Sequence, residues 1–488
     1  MNLKTRLGGV GVLACMLFAE GCMVGPNYKR PAAPVPATYK EPPTSNFKEA
    51  GGWKPASPND AQLKGKWWEI YNDPALNILE EQVAVSNQNV LALEAQYREA
   101  RDATRVARAA LFPTVGTSPA ITESRSGGSS SVSSLRTAYS FPLSASWAPD
   151  LWGSVRRNIT AVSATAQATA AQLENARLLY QSELAQDYFL LHGLDTQYEL
   201  LDRNVNSYQE YLTLTRNRFT GGVASDLDVA EAESQLYTTQ ASLQDLGVLR
   251  AQYEHAIAVL TGRPPAELTI PALVIKNPPP VVPINVPSAL LERRPDIAAS
   301  ERQMASANEQ VGIATAAFYP SLSLGASVGL QNSGILQWFT WPSRFFSIGP
   351  SLSETIFDAG RRRAVLAETK DFFDVTVADY RQTVLTAFQQ VEDNLAALRV
   401  MADESITVDL AVSSSARALT VSTAQYKAGT TSFLTVITAQ ATALNAERTA
   451  VQLLTRRLTA SVALVQALGG GWDASQLPSM KDVQSKTR

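Results

Sequence analysis

Two periodicities divide this chain. From Ser321 to Leu330, the apolar residues Leu322, Leu324, Ala326, Val328 and Leu330 alternate strictly with Ser and Gly. From Phe346 to Ser353, Phe346, Ile348, Pro350 and Leu352 alternate with Ser347, Gly349, Ser351 and Ser353. Earlier, Tyr139, Phe141, Leu143, Ala145 and Trp147 stand against Ser140, Pro142, Ser144 and Ser146, and a weaker segment from Thr114 to Glu123 keeps Val115 and Ile121 in phase. Period two is the signature of a strand with one apolar face, so strands are expected at about 114–123, 139–149, 321–330 and 345–354. Between them the period changes. Leu191, Leu194, Tyr198, Leu201, Val205, Tyr208, Leu212 and Phe219 form a heptad seam. From Val155 to Phe219 there is no Pro, and Gly193 is the only Gly, which predicts a helix of about 100 Å at 1.5 Å per residue. Gly221-Gly222 then reverse the chain, and Ala224 to Leu260 form a returning helix. Ala75–Leu111 and Asp296–Phe318 are the remaining predicted helices.

The pattern occurs twice. Pro113 and Pro320, Gly153 and Gly360, Gly222 and Gly429, and Gly262 and Gly469 are all 207 residues apart. Four landmarks at one offset predict two tandem structural repeats. They span residues 63–262 and 288–469, with a Pro-rich, extended connector at 263–287 and a polar tail at 470–488 that gives no sign of order. The second seam follows as Leu398, Met401, Val408, Val412, Leu419 and Tyr426.

The predicted fold is therefore mainly α with membrane β. Strands of about ten residues, apolar on one face and small and polar on the other, suit a transmembrane barrel. A water-soluble sandwich alternates equally well. However, the polar faces here are Ser and Gly rather than Lys and Glu, and Trp338, Phe339, Trp341, Phe345 and Phe346 crowd one strand edge as at a membrane interface. The Gly/Ser-rich stretch from Ser124 to Arg136 suits an external loop. Four strands do not close a barrel, so several chains must pool theirs.

Composition narrows the chemistry. Of 488 residues, 45% are hydrophobic and 18% charged, and the formal net charge of −3 gives no reason to expect nucleic acid. Two His (His192, His255) and two Cys (Cys15, Cys22) leave little for His- or Cys-based metal sites. No G-x-S-x-G, P-loop or dinucleotide fingerprint occurs, so neither a catalytic residue nor a cofactor is expected. Lys4 and Arg6 precede an apolar run from Gly8 to Ala19 and then Glu20-Gly21-Cys22. This reads as an export signal over 1–21, with Cys22 as the lipid attachment point of an extended segment over 22–62. A periplasmic coiled-coil scaffold is the competing reading of the helices.

The run Gly21-Cys22-Met23-Val24-Gly25-Pro26-Asn27-Tyr28 resembles the start of the outer membrane factor lipoproteins, the NodT branch related to TolC and OprM. Trp67-Trp68-Glu69-Ile70-Tyr71-Asn72-Asp73-Pro74, Leu291-Glu292-Arg293-Arg294-Pro295-Asp296-Ile297 and Tyr319-Pro320-Ser321-Leu322 carry the same resemblance. It implies a homotrimer with a 12-stranded β-barrel in the outer-membrane lipid and a 12-helix α-barrel through the periplasm. The trimer would act as a passive duct with an inner-membrane pump of the resistance–nodulation–division (RND) class and a periplasmic adaptor. A type I protein secretion duct is the alternative. The resemblance places the gate at the periplasmic tip. Asp226 and Asp228 are acidic candidates there, and each also suits a helix start, as N-cap and as first-turn dipole partner. Thr435 and Thr438 stand where relatives often carry aspartates, so packing of Tyr426, Phe433 and Leu434 is expected to hold the second tip shut. Gly221, Gly222, Gly429 and Thr430 form the hairpin tips and the expected adaptor-docking surface.

Overall fold

The structure, a computed structural model, describes residues 23–41, 65–125, 135–282 and 289–485. The expected signal segment and Cys22, residues 42–64, the core of the Gly/Ser loop and the end of the connector lie outside the described residues.

In chain order the elements are α1 (Pro74–Ser86), α2 (Gln88–Ala109), β1 (Thr114–Thr117), β2 (Ala120–Arg125), β3 (Leu135–Trp147), α3 (Ser154–Thr220) and α4 (Asp226–Leu260). After the connector come α5 (Leu290–Arg293), α6 (Pro295–Ala316), β4 (Ser321–Asn332), β5 (Arg344–Ser353), α7 (Arg361–Lys427), α8 (Phe433–Ala467) and α9 (Met480–Gln484). The 207-residue offset is kept at both ends of each matched helix: α2 maps onto α6, α3 onto α7 and α4 onto α8. Each long helix has 67 residues, about 100 Å. Beside the sheet, α2, α3, α6 and α7 pack side by side; towards the far end α4, α3, α8 and α7 do.

The helix expected from Ala75 to Leu111 is two helices. Asn87 takes an extended backbone between them, and its Oδ1 accepts from Asn89 N and Val90 N to cap α2. Its Nδ2 donates to Leu260 O at 2.9 Å, so one side chain joins the start of α2 to the end of α4. Arg294 performs the equivalent task 207 residues later, where Nη1 donates to Ala467 O at 3.1 Å. In both repeats, two short helices thus abut end to end and run alongside one long helix.

The core sits at mid-height, where α1 and the connector wrap the helices. It explains two of the sequence runs. Trp67 and Trp68 are buried, and Asp73 caps α1 while accepting from the Tyr188 hydroxyl at 2.7 Å. Arg294 also holds Asp296 side-on, Nε donating to Oδ1 at 2.9 Å and Nη2 to Oδ2 at 2.6 Å. His192 is structural. Its Nδ1 lies 2.8 Å from Asp195 Oδ2, and Arg250 Nε donates to Asp195 Oδ1 at 2.7 Å. Burial would raise the Asp195 pKa, but hydrogen bonds from His192, Arg250 and the Leu273 amide hold it below the usual range. This network fastens the connector at Leu273.

The expected loose tail is ordered up to residue 485. Trp472 and Val483 are buried, α9 packs on α2 and α3, and Arg108 Nη1 donates to Gln484 O at 2.7 Å. Two buried apolar anchors, Trp472 and Val483, outweigh its polar composition.

The sheet is antiparallel. β1 and β2 both pair with one side of β3, interrupted at Ser118-Pro119, and β3, β4 and β5 follow in order. The register aligns the apolar sets: Leu143 lies opposite Val328, and Val328 opposite Phe346. The apolar face is bare in the single chain, with Phe346 at 83% and Ile348 at 79% exposure. Among the described residues, the outer edges of β1/β2 and of β5 have no strand partner. Beyond β4, Trp338 and Phe339 pack tilted against each other and against Tyr139 and Phe141, an aromatic cluster at the end of the sheet away from the helices. Among the described residues no helix is long and apolar enough to cross a membrane.

Candidate gate at the helical tip

The end opposite the sheet is made by two helical hairpins that share a backbone design. After α3, Gly222 takes φ +74°, its N–H bonds Phe219 O, and Val223 N bonds Arg218 O. After α7, Gly429 takes φ +74°, its N–H bonds Tyr426 O, and Thr430 N bonds Gln425 O. Both are Schellman endings, in which the left-handed residue satisfies the last carbonyls without a Cβ clash. The Thr430 hydroxyl also donates to Gln425 O.

The starts of the returning helices differ. The N-cap of α4 is Ser225, not Asp226. Its Oγ accepts from Asp228 N at 3.2 Å, while Ser225 N donates to Asp228 Oδ2 at 2.8 Å, a reciprocal capping box. Asp228 is therefore committed to the helix start, and Asp226 stands exposed at the first helical position. The run Ser225-Asp226-Leu227-Asp228 carried this signal. In α8, Ser432 occupies the cap position without a side-chain cap bond. Thr435 instead joins a hydroxyl cluster with Thr431 (3.1 Å) and Ser432 (3.3 Å), and Thr438 bonds back to Leu434 O at 2.8 Å.

The three apolar candidates separate. Phe433 is 2% exposed and Tyr426 is also buried, their rings 5.2 Å apart, in a cluster with Tyr208, Leu212, Leu236 and Val436. That cluster binds the two hairpins of one chain together. Leu434, one residue on, is 57% exposed and takes no part in it. Two arginines were not singled out in the sequence. Arg218 lies 4.5 Å over the Tyr426 ring and donates to Tyr426 O at 3.0 Å, and Arg216 pairs with Glu233 at 2.6 Å. Each contact links different helices, so no local pattern marks it.

A family model described as outer membrane efflux protein matches residues 79–263 and 286–470. The chain belongs to that family. It is similar to the toluene efflux pump outer membrane protein TtgC of Pseudomonas putida, 29% identical over 458 residues and covering 93% of both chains. It is also similar to the solvent efflux pump outer membrane protein SrpC of Pseudomonas putida, 30% identical over 471 residues and covering 94% of this chain and 98% of that one. Among solved structures, the outer-membrane channel OprN superposes with a TM-score of 0.83 at 28% identity, over 92% of this chain and all of that one. Family membership makes this chain the outer-membrane channel component of an efflux system, a conduit and not an enzyme.

Proposed function

We propose that three copies join their sheet edges into one 12-stranded barrel and their helices into a periplasmic tunnel. The assembly is a passive exit for small molecules delivered by an inner-membrane RND-type pump through a periplasmic adaptor. The observation that carries this is a sheet of four strand positions, β1 and β2 sharing one, with two edges unpartnered among the described residues and a bare apolar face. In lipid, every backbone polar group on those edges needs a partner, and closure into a ring supplies it. Three sheets of four strands suffice. Relatives named for toluene, solvent and pyoverdine export suggest small, partly apolar cargo.

Cys22 carries the lipid of the mature chain in this reading. The hairpin tips, with Gly221, Gly222, Gly429 and Thr430 at the surface, are where the adaptor docks. Asp226 supplies a ring of three exposed carboxylates at the tip, which draws cations to the mouth. Leu434, exposed in one chain, meets its copies around the axis. Tyr426 and Phe433 act one step back, by holding each pair of hairpins together.

Deleting the protein and measuring accumulation of a panel of dyes, solvents and antibiotics tests the function. Raised accumulation of several compounds, reversed by the intact chain, is expected. Unchanged uptake across the panel would exclude an efflux role for small molecules.

A further inference from the structure

The run from Met23 to Tyr28 enters the fold through one buried side chain. Arg157, at the start of α3, has no solvent exposure. Its Nε donates to Val24 O at 2.7 Å, Nη2 to Gly25 O at 3.0 Å, and Nη1 to both Pro26 O at 3.0 Å and Glu309 Oε2 at 2.9 Å. Three successive backbone carbonyls are thus held by one guanidinium, whose charge is balanced by a buried carboxylate on α6. A rigid planar fork is needed for this, because a single ammonium does not reach three diverging acceptors. Two glycines make the room. A Cβ at Gly312 would lie 2.3 Å from Arg157 Cδ. Gly25 takes φ +97°, and a Cβ there would lie 2.7 Å from Gly312 Cα.

The clamp has no counterpart in the other repeat, where the position 207 residues beyond Arg157 is Ala364. It therefore serves something the chain has once, and the N-terminal strap is such a feature. The clamp also sits at a definite height. Val24 N donates to Trp152 O, and the Trp152 ring stacks on Tyr319 at 4.8 Å where strands give way to helices. Aromatic residues at that junction mark a membrane–water interface.

We propose that the Arg157–Glu309 clamp is the positioning device of the membrane tether. It pins the chain from the second residue after Cys22 to the rim of the sheet, so that a lipid on Cys22 enters the bilayer beside the barrel wall. The proposal rests on the reading of Cys22 as lipid-bearing. With the clamp, the attachment point is two Cα–Cα steps, about 7 Å, from a fixed residue, Val24. Without it, the strap before Tyr28 keeps only two single bonds, Val24 N to Trp152 O at 3.2 Å and Asn308 Nδ2 to Pro26 O at 3.3 Å, and the next side-chain anchor is Tyr28, whose hydroxyl donates to Glu301 at 2.6 Å. When those two bonds open, six residues of leash span about 20 Å, and the lipid no longer reports the height of the barrel.

The test uses the full chain in outer membranes, with a nitroxide on Asn27→Cys, an exposed strap position. Incorporation of labelled palmitate at Cys22 is followed in parallel. On the parent chain the nitroxide is expected to be immobilised and within reach of a nickel-chelating headgroup lipid. In Arg157→Leu/Glu309→Leu, which removes the clamp without leaving a lone buried charge, the spectrum should sharpen several-fold in mobility while palmitate is retained. Arg157→Lys should not restore immobility. Gly25→Ala, which leaves the helices untouched and displaces only the strap, should give the same release and guards against a folding failure of the double variant. A nitroxide that stays immobile in Gly25→Ala on a palmitate-bearing chain would overturn the clamp. Absence of palmitate from the parent chain would instead overturn the lipid reading, and the tether role with it.

Discussion

The two hairpin tips have the same backbone and opposite chemistry. Their helices match residue for residue, with 67 and 35 residues in each hairpin, and both turn on a left-handed Gly. Yet Phe219 of the first is exposed where Tyr426 of the second is buried, and Asp226 is exposed where Phe433 is buried. The first tip completes its own polar bonds through the Ser225–Asp228 box. The second gives its aromatics to the seam between hairpins and leaves its cap weakly bonded. A duplicated hairpin has thus divided the labour: one copy supplies the polar surface, the other the packing that joins the two.

Removing the packing should have the largest effect. Phe433→Ala deletes a buried aromatic, worth about 3–5 kcal/mol, whereas Phe219→Ala at an exposed site should stay within about 0.5 kcal/mol. Hydrogen exchange across residues 419–440 reads the difference, and equal protection in both variants would erase the proposed division. Next in size is Tyr426→Phe. The Tyr426 hydroxyl is buried and finds no hydrogen-bond partner among the described residues. Its removal should stabilise the tip by about 1–3 kcal/mol, seen as slower exchange of the same segment. Destabilisation would instead reveal a partner for that hydroxyl in a neighbouring subunit.

Caps come third. Ser225→Ala should cost about 1 kcal/mol and loosen the first turn of α4. Ser432→Ala, with no cap bond to lose, should leave α8 unchanged in the same exchange measurement. The smallest effect on stability is expected at the acids. Asp226→Asn should lower cation preference in planar bilayers while the fold is unaffected, whereas Asp228→Asn should weaken the capping box as well. An unaltered reversal potential in Asp226→Asn would remove it from the channel mouth.

Much of the architecture was legible in residues 114–123, 139–149, 321–330 and 345–354, because alternation and turn-forming Gly act locally. The observed strands begin and end within a few residues of those limits. The long helices were legible for the same reason, since a Pro-free seam fixes its own period. The break at Asn87 was not, because the bond from its Nδ2 to Leu260 O joins positions 173 residues apart, which no local pattern marks. Asp228 was readable as a helix-start residue from Ser225 three positions earlier, but nothing local said that Leu434 would part company with Phe433.

The sequence by itself determined the duplication, the two periods, the glycine turns and the need for neighbours along the sheet. These follow from spacing within a few residues or from one fixed offset. Only the tertiary structure decided which aromatics are buried and which arginine holds the strap. Arg157 is 133 residues from Val24 and 152 from Glu309. Burial and charge pairing at such separations depend on which helix faces meet, and that is set by packing of the whole chain.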